Sequence, residues 1–191
     1  SYSNNRALNH YLSCLLALLL ACVPVAASAE KADKDKPMNV EADNLVRDEL
    51  KQISIFTGRA VLTKGTMVMR GGRIEIREDP DGYQYGVAFP DGAKRAFYRQ
   101  KREGDDYLEG EGLRIEYDGK LDRVKLIDNA EARRYRGVVM TDHMTGKLII
   151  YNNLTDLLYI DGQRTEEGGK PTGNGRVRAV LTPRNKLQDT P

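Results

Sequence analysis

The sequence is poor in the residues that most enzymes use for covalent or metal chemistry. Its 191 residues include two cysteines, two histidines and no tryptophan. The charges nearly balance, with 30 Lys and Arg against 28 Asp and Glu. This balance argues against a nucleic-acid-binding protein, which needs a clustered positive surplus. With 40% apolar residues and this low net charge, the composition is that of a folded chain, long enough for one domain.

The first 29 residues have the pattern of a secretory signal peptide. They contain no acidic residue and a single arginine, Arg6, before an apolar run over 11–25. The tripeptide Ala27-Ser28-Ala29 then forms an A-x-A cleavage site. Because the apolar run is shorter than the roughly 20 residues of a membrane span, we expect removal of this segment on export.

Two other readings of this N-terminus stay open. The apolar run could be an uncleaved membrane anchor, or Cys22, at the end of Leu19-Leu20-Ala21-Cys22, could be the lipidated residue of a lipoprotein.

The rest of the chain divides by composition, and the expected units are a charged linker over 30–36, a folded domain over 37–183 and a flexible tail over 184–191.

Removal of the first 29 residues leaves 162 residues with a net charge of +1 and no cysteine. The exported domain would have no disulfide, and one histidine without cysteine does not make a zinc site. The only pair for nucleophilic catalysis is Ser54 and His143, and Ser54 lies inside an apolar, strand-like run. We therefore expect no enzyme activity, no metal and no cofactor.

Weaker chemical signals have simpler structural interpretations. The carboxylates at Asp79-Pro80-Asp81-Gly82 and Asp105-Asp106 lack the spacing of an EF-hand loop and are typical of turns. The glycines of 110–112 and 173–175 do not join a strand to a helix, so they are not phosphate-binding fingerprints. A glycosidase carboxylate pair stays open, since 28 acidic residues always offer some pair.

Period-2 alternation dominates the chain from residue 37 onward. Leu113, Ile115 and Tyr117, for example, alternate with charged residues, and Gly, Asn and Asp separate such runs at short intervals. This pattern predicts an all-β domain of about 12 to 16 strands joined by hairpins, as a sandwich, barrel or open roll. The segment 41–52 is ambiguous between strand and helix, and 58–69 is weakly repeated as 129–140.

Several segments resemble one protein family. They are PMNVEAD (37–43), FTGRAVLTKGT (56–66), AFYRQ (96–100), LIDNA (126–130) and VLTP (180–183). In this order they resemble the LptA/OstA family of periplasmic lipopolysaccharide-transport bridge proteins, over nearly all of 37–183. The Gly-rich stretch 166–175 departs from the family pattern.

The resemblance implies an open antiparallel β-jelly-roll with an apolar interior groove for lipid A acyl chains. It also implies that 41–52 is a hairpin. The expected partners are lipopolysaccharide, an LptC-like inner-membrane protein, an LptD-like outer-membrane receptor and further copies stacked edge to edge. Exposed acyl chains would cost about 0.8 kcal/mol for each CH₂ group in water, which is why such a carrier needs a groove.

Alternation and this resemblance together give candidate site residues. The expected groove residues are Met38, Val40, Met67, Met69, Ile74, Ile76, Phe97, Leu113, Ile115, Tyr117 and Ile149. The expected phosphate contacts at the groove mouth are Arg73, Arg95, Arg99 and Arg114. The expected partner edges are Met38, Asn39, Val40 and Glu41 at one end and Val177, Arg178, Ala179, Val180 and Leu181 at the other. For each groove residue, a closed core is the alternative interpretation.

Two alternative functions remain at this stage. One is an enzyme or binding domain that acts on envelope glycans through carboxylates. The other is a related β-roll module, either the membrane-anchored transport partner or the periplasmic part of the outer-membrane receptor.

Overall fold

The computed structural model describes residues 31–165, 171–172 and 175–183. It contains one 3-10 helix, Lys31–Asp35, and 14 strands among these residues. The strands are β1 (Met38–Glu41), β2 (Asn44–Asp48), β3 (Ile53–Lys64), β4 (Met67–Glu78), β5 (Gln84–Phe89), β6 (Ala96–Lys101), β7 (Asp106–Gly112), β8 (Arg114–Asp118), β9 (Arg123–Arg136), β10 (Val139–Asn152), β11 (Leu157–Asp161), β12 (Arg164–Thr165), β13 (Pro171–Thr172) and β14 (Arg178–Leu181).

Two long hairpins, β3–β4 and β9–β10, organise the sheet. Each turns at a glycine with positive φ, Gly65 at 58° and Gly137 at 59°. The first strand of each hairpin is interrupted by a bulge of two left-handed residues, Gly58-Arg59 in β3 and Asp128-Asn129 in β9. These hairpins coincide with the weak sequence repeat between 58–69 and 129–140.

Each of the four long strands changes neighbours near its middle. All strand pairs are antiparallel, and twelve strands form one connected sheet. This sheet divides into two arrays of eight strands that share β3, β4, β9 and β10. The first array is β2, β3, β4, β5, β8, β9, β10 and β11. The second array is β1, β3, β4, β6, β7, β9, β10 and β14.

The two arrays face each other across one core. A Cβ built on Gly86 of the first array would lie 3.4 Å from Ile76 of the same array and 3.5 Å from Leu62 of the second. One apolar cluster joins residues of both arrays. The arrangement is an open antiparallel β-jelly-roll, which confirms the predicted fold class.

We call the line where the arrays join the crease. It is lined by cross-strand pairs of alanine with glycine, namely Ala60 with Gly71, Ala96 with Gly112 and Ala130 with Gly146. The small side chains let the sheet fold tightly: a Cβ on Gly71 would overlap the carbonyl oxygen of Phe89, where β5 leaves the sheet. The crease is therefore closed by backbone packing.

The ambiguous segment 41–52 is not helical. It contains the end of β1, all of β2 and the turn into β3, with Leu45 opposite Phe56 and Asp48 opposite Ile53. The hairpin implied by the family resemblance is therefore present.

Residues 31–36, part of the expected linker, carry the 3-10 helix and place Asp33 in a buried position. The expected signal segment 1–29, the tail 184–191 and most of the Gly-rich stretch lie outside the described residues. In the part of the chain that the structure describes, no helix has the length and apolar character needed to cross a membrane.

Candidate functional site

The interior between the arrays contains nine of the eleven predicted groove residues. Seven are buried, and Met38 and Val40 pack against the buried cluster from β1. The seven are Met67, Met69, Ile74, Ile76, Ile115, Tyr117 and Ile149. The interior is thus a continuous apolar layer that is buried at its centre and partly buried at the β1 edge.

Two predicted groove residues lie outside. Phe97 is on the outer face beneath the guanidinium of Arg70, because its neighbours Ala96 and Tyr98 take inward positions of β6. Leu113 is 47% exposed because it lies between β7 and β8, where the chain passes from one array to the other and the alternation breaks. The inward assignment of both residues is wrong.

Opposite the crease, polar side chains close the gap between the arrays, and we call this gap the mouth. Arg102, in the β6–β7 loop of the second array, forms an ion pair with Asp156 and hydrogen-bonds Asn153, both in the β10–β11 turn of the first array. Asn153 also donates from Nδ2 to Asp122 at 2.9 Å. Tyr151 donates its hydroxyl hydrogen to Asp156 at 2.6 Å. These contacts form a polar seam over the apolar interior.

Three tyrosines lie at the inner side of this seam. Burial raises the pKa of Tyr98, of Tyr117 and of Tyr151 above the usual tyrosine value, and the carboxylate of Asp122 adds to the rise in each pKa. The mouth therefore keeps its phenols neutral.

A pocket of about 350 Å³ opens beside the seam. Leu108 and Tyr151 of the core contribute to its wall together with Arg102 and Arg134. Arg134 stands opposite Leu108 and Asp142 on the inward side of the second array. Neither arginine was predicted from the sequence, because Arg102 lies in a mixed-charge loop and Arg134 at an Arg-rich strand end, where alternation alone does not distinguish them.

None of the four arginines expected at the mouth lies there. Arg73 and Arg114 lie on the outer face near Phe89, with ion pairs to Glu75 and Glu116. Arg99 covers Tyr107 and bonds Glu109 at 2.7 Å, and Arg95 bonds Glu111 and Glu131. The rim assignment is therefore wrong, because all four occupy outward positions of the alternation and have acidic partners.

The outer face of the second array carries a compact ionic cluster around Glu131. Burial alone would raise the pKa of Glu131, but hydrogen bonds from Arg95, His143 and Arg133 outweigh it and lower that pKa to about 2. His143 contacts Glu131 at 2.8 Å on this outer face, whereas Ser54 accepts a hydrogen bond from Arg47 in the first array. Ser54 and His143 therefore do not form a catalytic pair.

The acidic turn at Asp79 makes ordinary turn contacts. Asp79 accepts the backbone N–H groups of Asp81 and Tyr83 and the hydroxyl of Tyr85. No group of three or more His, Cys, Asp or Glu residues suited to a metal ion occurs among the described residues.

The predicted partner strands are edges of the second array. In the described sheet, β1 pairs with β3 alone and β14 with β10 alone. Val177 precedes β14, which begins at Arg178. The matching edges of the first array, β2 and β11, also expose apolar side chains, including Leu45 and Leu157. Neither of these two edges was predicted from the sequence.

The family model described as "LptA/(LptD N-terminal domain) LPS transport protein" matches residues 39–156. The chain belongs to this family. The matched range extends from β1 to the β10–β11 turn and so includes most of both arrays.

Curated members of the LptA family match along most of their length. The lipopolysaccharide export system protein LptH of Pseudomonas aeruginosa is 26% identical over 178 residues, which cover 93% of this chain and 97% of LptH. LptA of Escherichia coli K12 is 25% identical over 178 residues, covering 93% of this chain and 88% of that protein. LptA of Haemophilus influenzae is 27% identical over 172 residues, covering 87% and 90%.

The crystal structure of LptH, described as the LptA-homologous periplasmic component of the lipopolysaccharide transport device of P. aeruginosa, has the same fold. It superposes with a TM-score of 0.69 at 24% identity and covers 80% of this chain and 99% of that chain. The LptA-type jelly-roll is therefore the architecture of this family member as well.

Proposed function

We propose that this chain is a periplasmic carrier that binds lipopolysaccharide by its acyl chains between the two arrays and passes it from the inner to the outer membrane. The observation that carries the proposal is the apolar interior, which extends through both arrays and is covered at the mouth by polar side chains. The lipopolysaccharide export relatives support the same role.

The apolar interior suits acyl chains for a physical reason. Transfer of each CH₂ group from water to an apolar interior is favourable by about 0.8 kcal/mol of free energy. Burial of one long acyl chain therefore offsets the free-energy cost of breaking the few polar contacts at the mouth. Met67 and Met69 line the interior, and their unbranched side chains can adapt to a sliding chain. Binding would need no cofactor.

Partners would dock on the sheet edges. An exposed edge strand offers unpaired backbone groups to a further strand. We assign β1 and β2 to an LptC-like inner-membrane partner, and β11 and β14 to an LptD-like receptor or to the next copy in a head-to-tail stack. Deletion of residues 37–41 should weaken capture of the inner-membrane partner, and unchanged capture would contradict this edge assignment.

A photo-crosslinking amino acid at Tyr117 tests the binding proposal. Tyr117 faces the interior, and the preceding residue, Glu116, lies on the outer face as a matched control. We expect lipopolysaccharide to be captured at position 117 and not at position 116. If neither position captures lipid in protein that keeps its β circular dichroism, the interior is only a structural core.

A further inference from the structure

Residues 31–36, which we call the strap, lie against the mouth beside the β3–β4 turn. Asp33 is buried, with 6% of the residue exposed. Its Oδ1 accepts the backbone N–H of Thr66 at 3.0 Å. Its Oδ2 accepts the hydroxyl of Thr66 and, at 3.1 Å, the Nε2 amide of Gln100. One strap carboxylate thus receives three hydrogen bonds from the roll.

These donors belong to the jelly-roll and not to the strap. Gln100 is itself buried, and its Oε1 accepts the hydroxyl of Tyr98, which directs the amide NH₂ toward Asp33. Thr66 is fixed by the β3–β4 hairpin. Convergent N–H and O–H donors of this kind form a cradle for an anion.

A buried ammonium group lies beside the cradle. Lys64 is 8% exposed, and its Nζ donates to the backbone carbonyl of Lys36 in the strap at 2.5 Å. Burial lowers the pKa of Lys64, while the carboxylates of Asp122, Asp35 and Asp33 act in the opposite direction. Two of these three acids belong to the strap, so its departure would leave Lys64 with less compensating negative charge.

We propose that this cradle is an anion site for a phosphate group, and that Asp33 occupies it in the unloaded protein as an intramolecular substitute. The inference rests on the proposed function for the source of the phosphate, a lipid headgroup. An acyl chain between Met67 and Tyr98 would leave its headgroup at the mouth, next to Thr66, Gln100 and Lys64. The strap is then a displaceable plug that competes with the headgroup.

The charges of the surroundings favour phosphate over a neutral headgroup. A phosphate supplies several acceptor oxygens for the donors that Asp33 satisfies, and its charge replaces the strap carboxylates near Lys64. Arg102, whose positive charge acts to lower the pKa of Tyr98, is a second cation on the same side of the mouth. Asp122 opposes binding but is held by the Nδ2 donor of Asn153.

Titration with inorganic phosphate tests the cradle on the full chain. The amide resonance of Thr66 in the NMR spectrum should shift saturably with phosphate. In Asp33→Ala the midpoint of this shift should lie at a phosphate concentration about tenfold lower than in the wild type. Asp35→Ala is the matched control: it removes an exposed strap carboxylate that also acts on Lys64 but leaves Asp33 in the cradle, so its midpoint should stay much closer to that of the wild type. Equal midpoints for all three proteins would overturn the proposal. If Asp33→Ala does not fold, Asp33→Asn removes the charge and keeps the shape.

A second arm identifies the lipid as the source. With the crosslinker at Tyr117, Asp33→Ala should increase capture of lipopolysaccharide about tenfold and leave capture of its dephosphorylated form unchanged. An equal increase for both forms would show that the strap blocks only the interior, and the phosphate assignment would be wrong although the proposed function stands. If no protein captures either form, the proposed function fails, while the phosphate titration still decides the cradle.

Discussion

The crease and the mouth lie at opposite sides of the same two arrays and are closed by different means. At the crease, alanine–glycine pairs bring backbone against backbone. At the mouth, Arg102, Asn153 and Asp156 join loops of the two arrays through side-chain contacts, and the strap adds Asp33. Side-chain hydrogen bonds can exchange with water or ligand at a net cost of about 1 kcal/mol each, whereas backbone packing cannot.

This difference indicates which side of the roll opens. The centre of the interior is buried, so a ligand that enters from the side requires the two arrays to separate at the crease or at the mouth. Separation at the crease would break the continuous strands β3, β4, β9 and β10. Separation at the mouth exchanges a few polar contacts. We infer that the mouth is the entrance and the crease the fixed hinge line.

The largest loss of folding stability is expected from a substitution at the crease. Gly71→Ala places a methyl group against the Phe89 carbonyl, with backbone atoms that have no room to move, and should lower the free energy of unfolding by about 3 kcal/mol. Gly104→Ala is the control, because its surroundings are open and only its positive φ costs about 1 kcal/mol. Urea denaturation measures both, and equal losses would show that the crease is not tightly packed.

The second-largest loss of folding stability is expected at the seam. Asn153→Ala removes the side-chain donor to Asp122, which stays buried, and should cost about 1–3 kcal/mol in urea denaturation. Leu154→Ala, in the same turn but with a partly exposed side chain, should cost less. A loss at Leu154 as large as at Asn153 would mean that apolar contacts, and not polar ones, hold the mouth.

The tyrosines of the mouth predict a loss of stability at high pH. A raised tyrosine pKa stabilises the fold fully below about pH 10, and this stability is lost as the pH rises toward the folded-state value, by up to about 1.4 kcal/mol per pH unit for each group. Tyr117→Phe should be close to neutral at pH 7 and should reduce this alkaline slope. Denaturation midpoints between pH 7 and 11 measure it, and an unchanged slope would contradict the burial of Tyr117.

The smallest effect concerns the ion pair across the mouth. Asp156→Asn weakens its contact with Arg102, but the Asp156 side chain is 63% exposed, so we expect a loss below about 1 kcal/mol in thermal unfolding. A loss of several kcal/mol would indicate that the mouth is fixed as firmly as the crease.

The period-2 alternation correctly predicted which side chains face the interior where a strand stays within one array. Ile115 and Tyr117 are inward as predicted, whereas Leu113, two residues earlier, is outside because the chain changes arrays there. Alternation does not show where a strand changes neighbours. The crease was therefore not predicted, although its alanines and glycines are visible in the sequence.

The mouth was beyond sequence reasoning for a related reason. The cradle joins Asp33 to Gln100, 67 positions apart, and the seam joins Arg102 to Asn153, 51 positions apart. The arginines selected from the sequence lie instead on the outer faces, Arg95 in the ionic cluster and Arg73 beside Phe89, since every outward position of a charged strand looks equally suitable. Only the folded register separates the two groups.

Distance measurements across the mouth test the account most directly. Spin labels on cysteines at Glu103 and Leu154 would span the mouth, and labels at Lys94 and Lys147, close to Ala96 and Gly146, would measure a distance along the crease, in protein whose Cys14 and Cys22 are serine. With lipopolysaccharide, double electron–electron resonance should show an increased mouth distance and an unchanged distance along the crease. Bound lipid with an unchanged mouth distance, or with a changed distance along the crease, would contradict entry at the mouth.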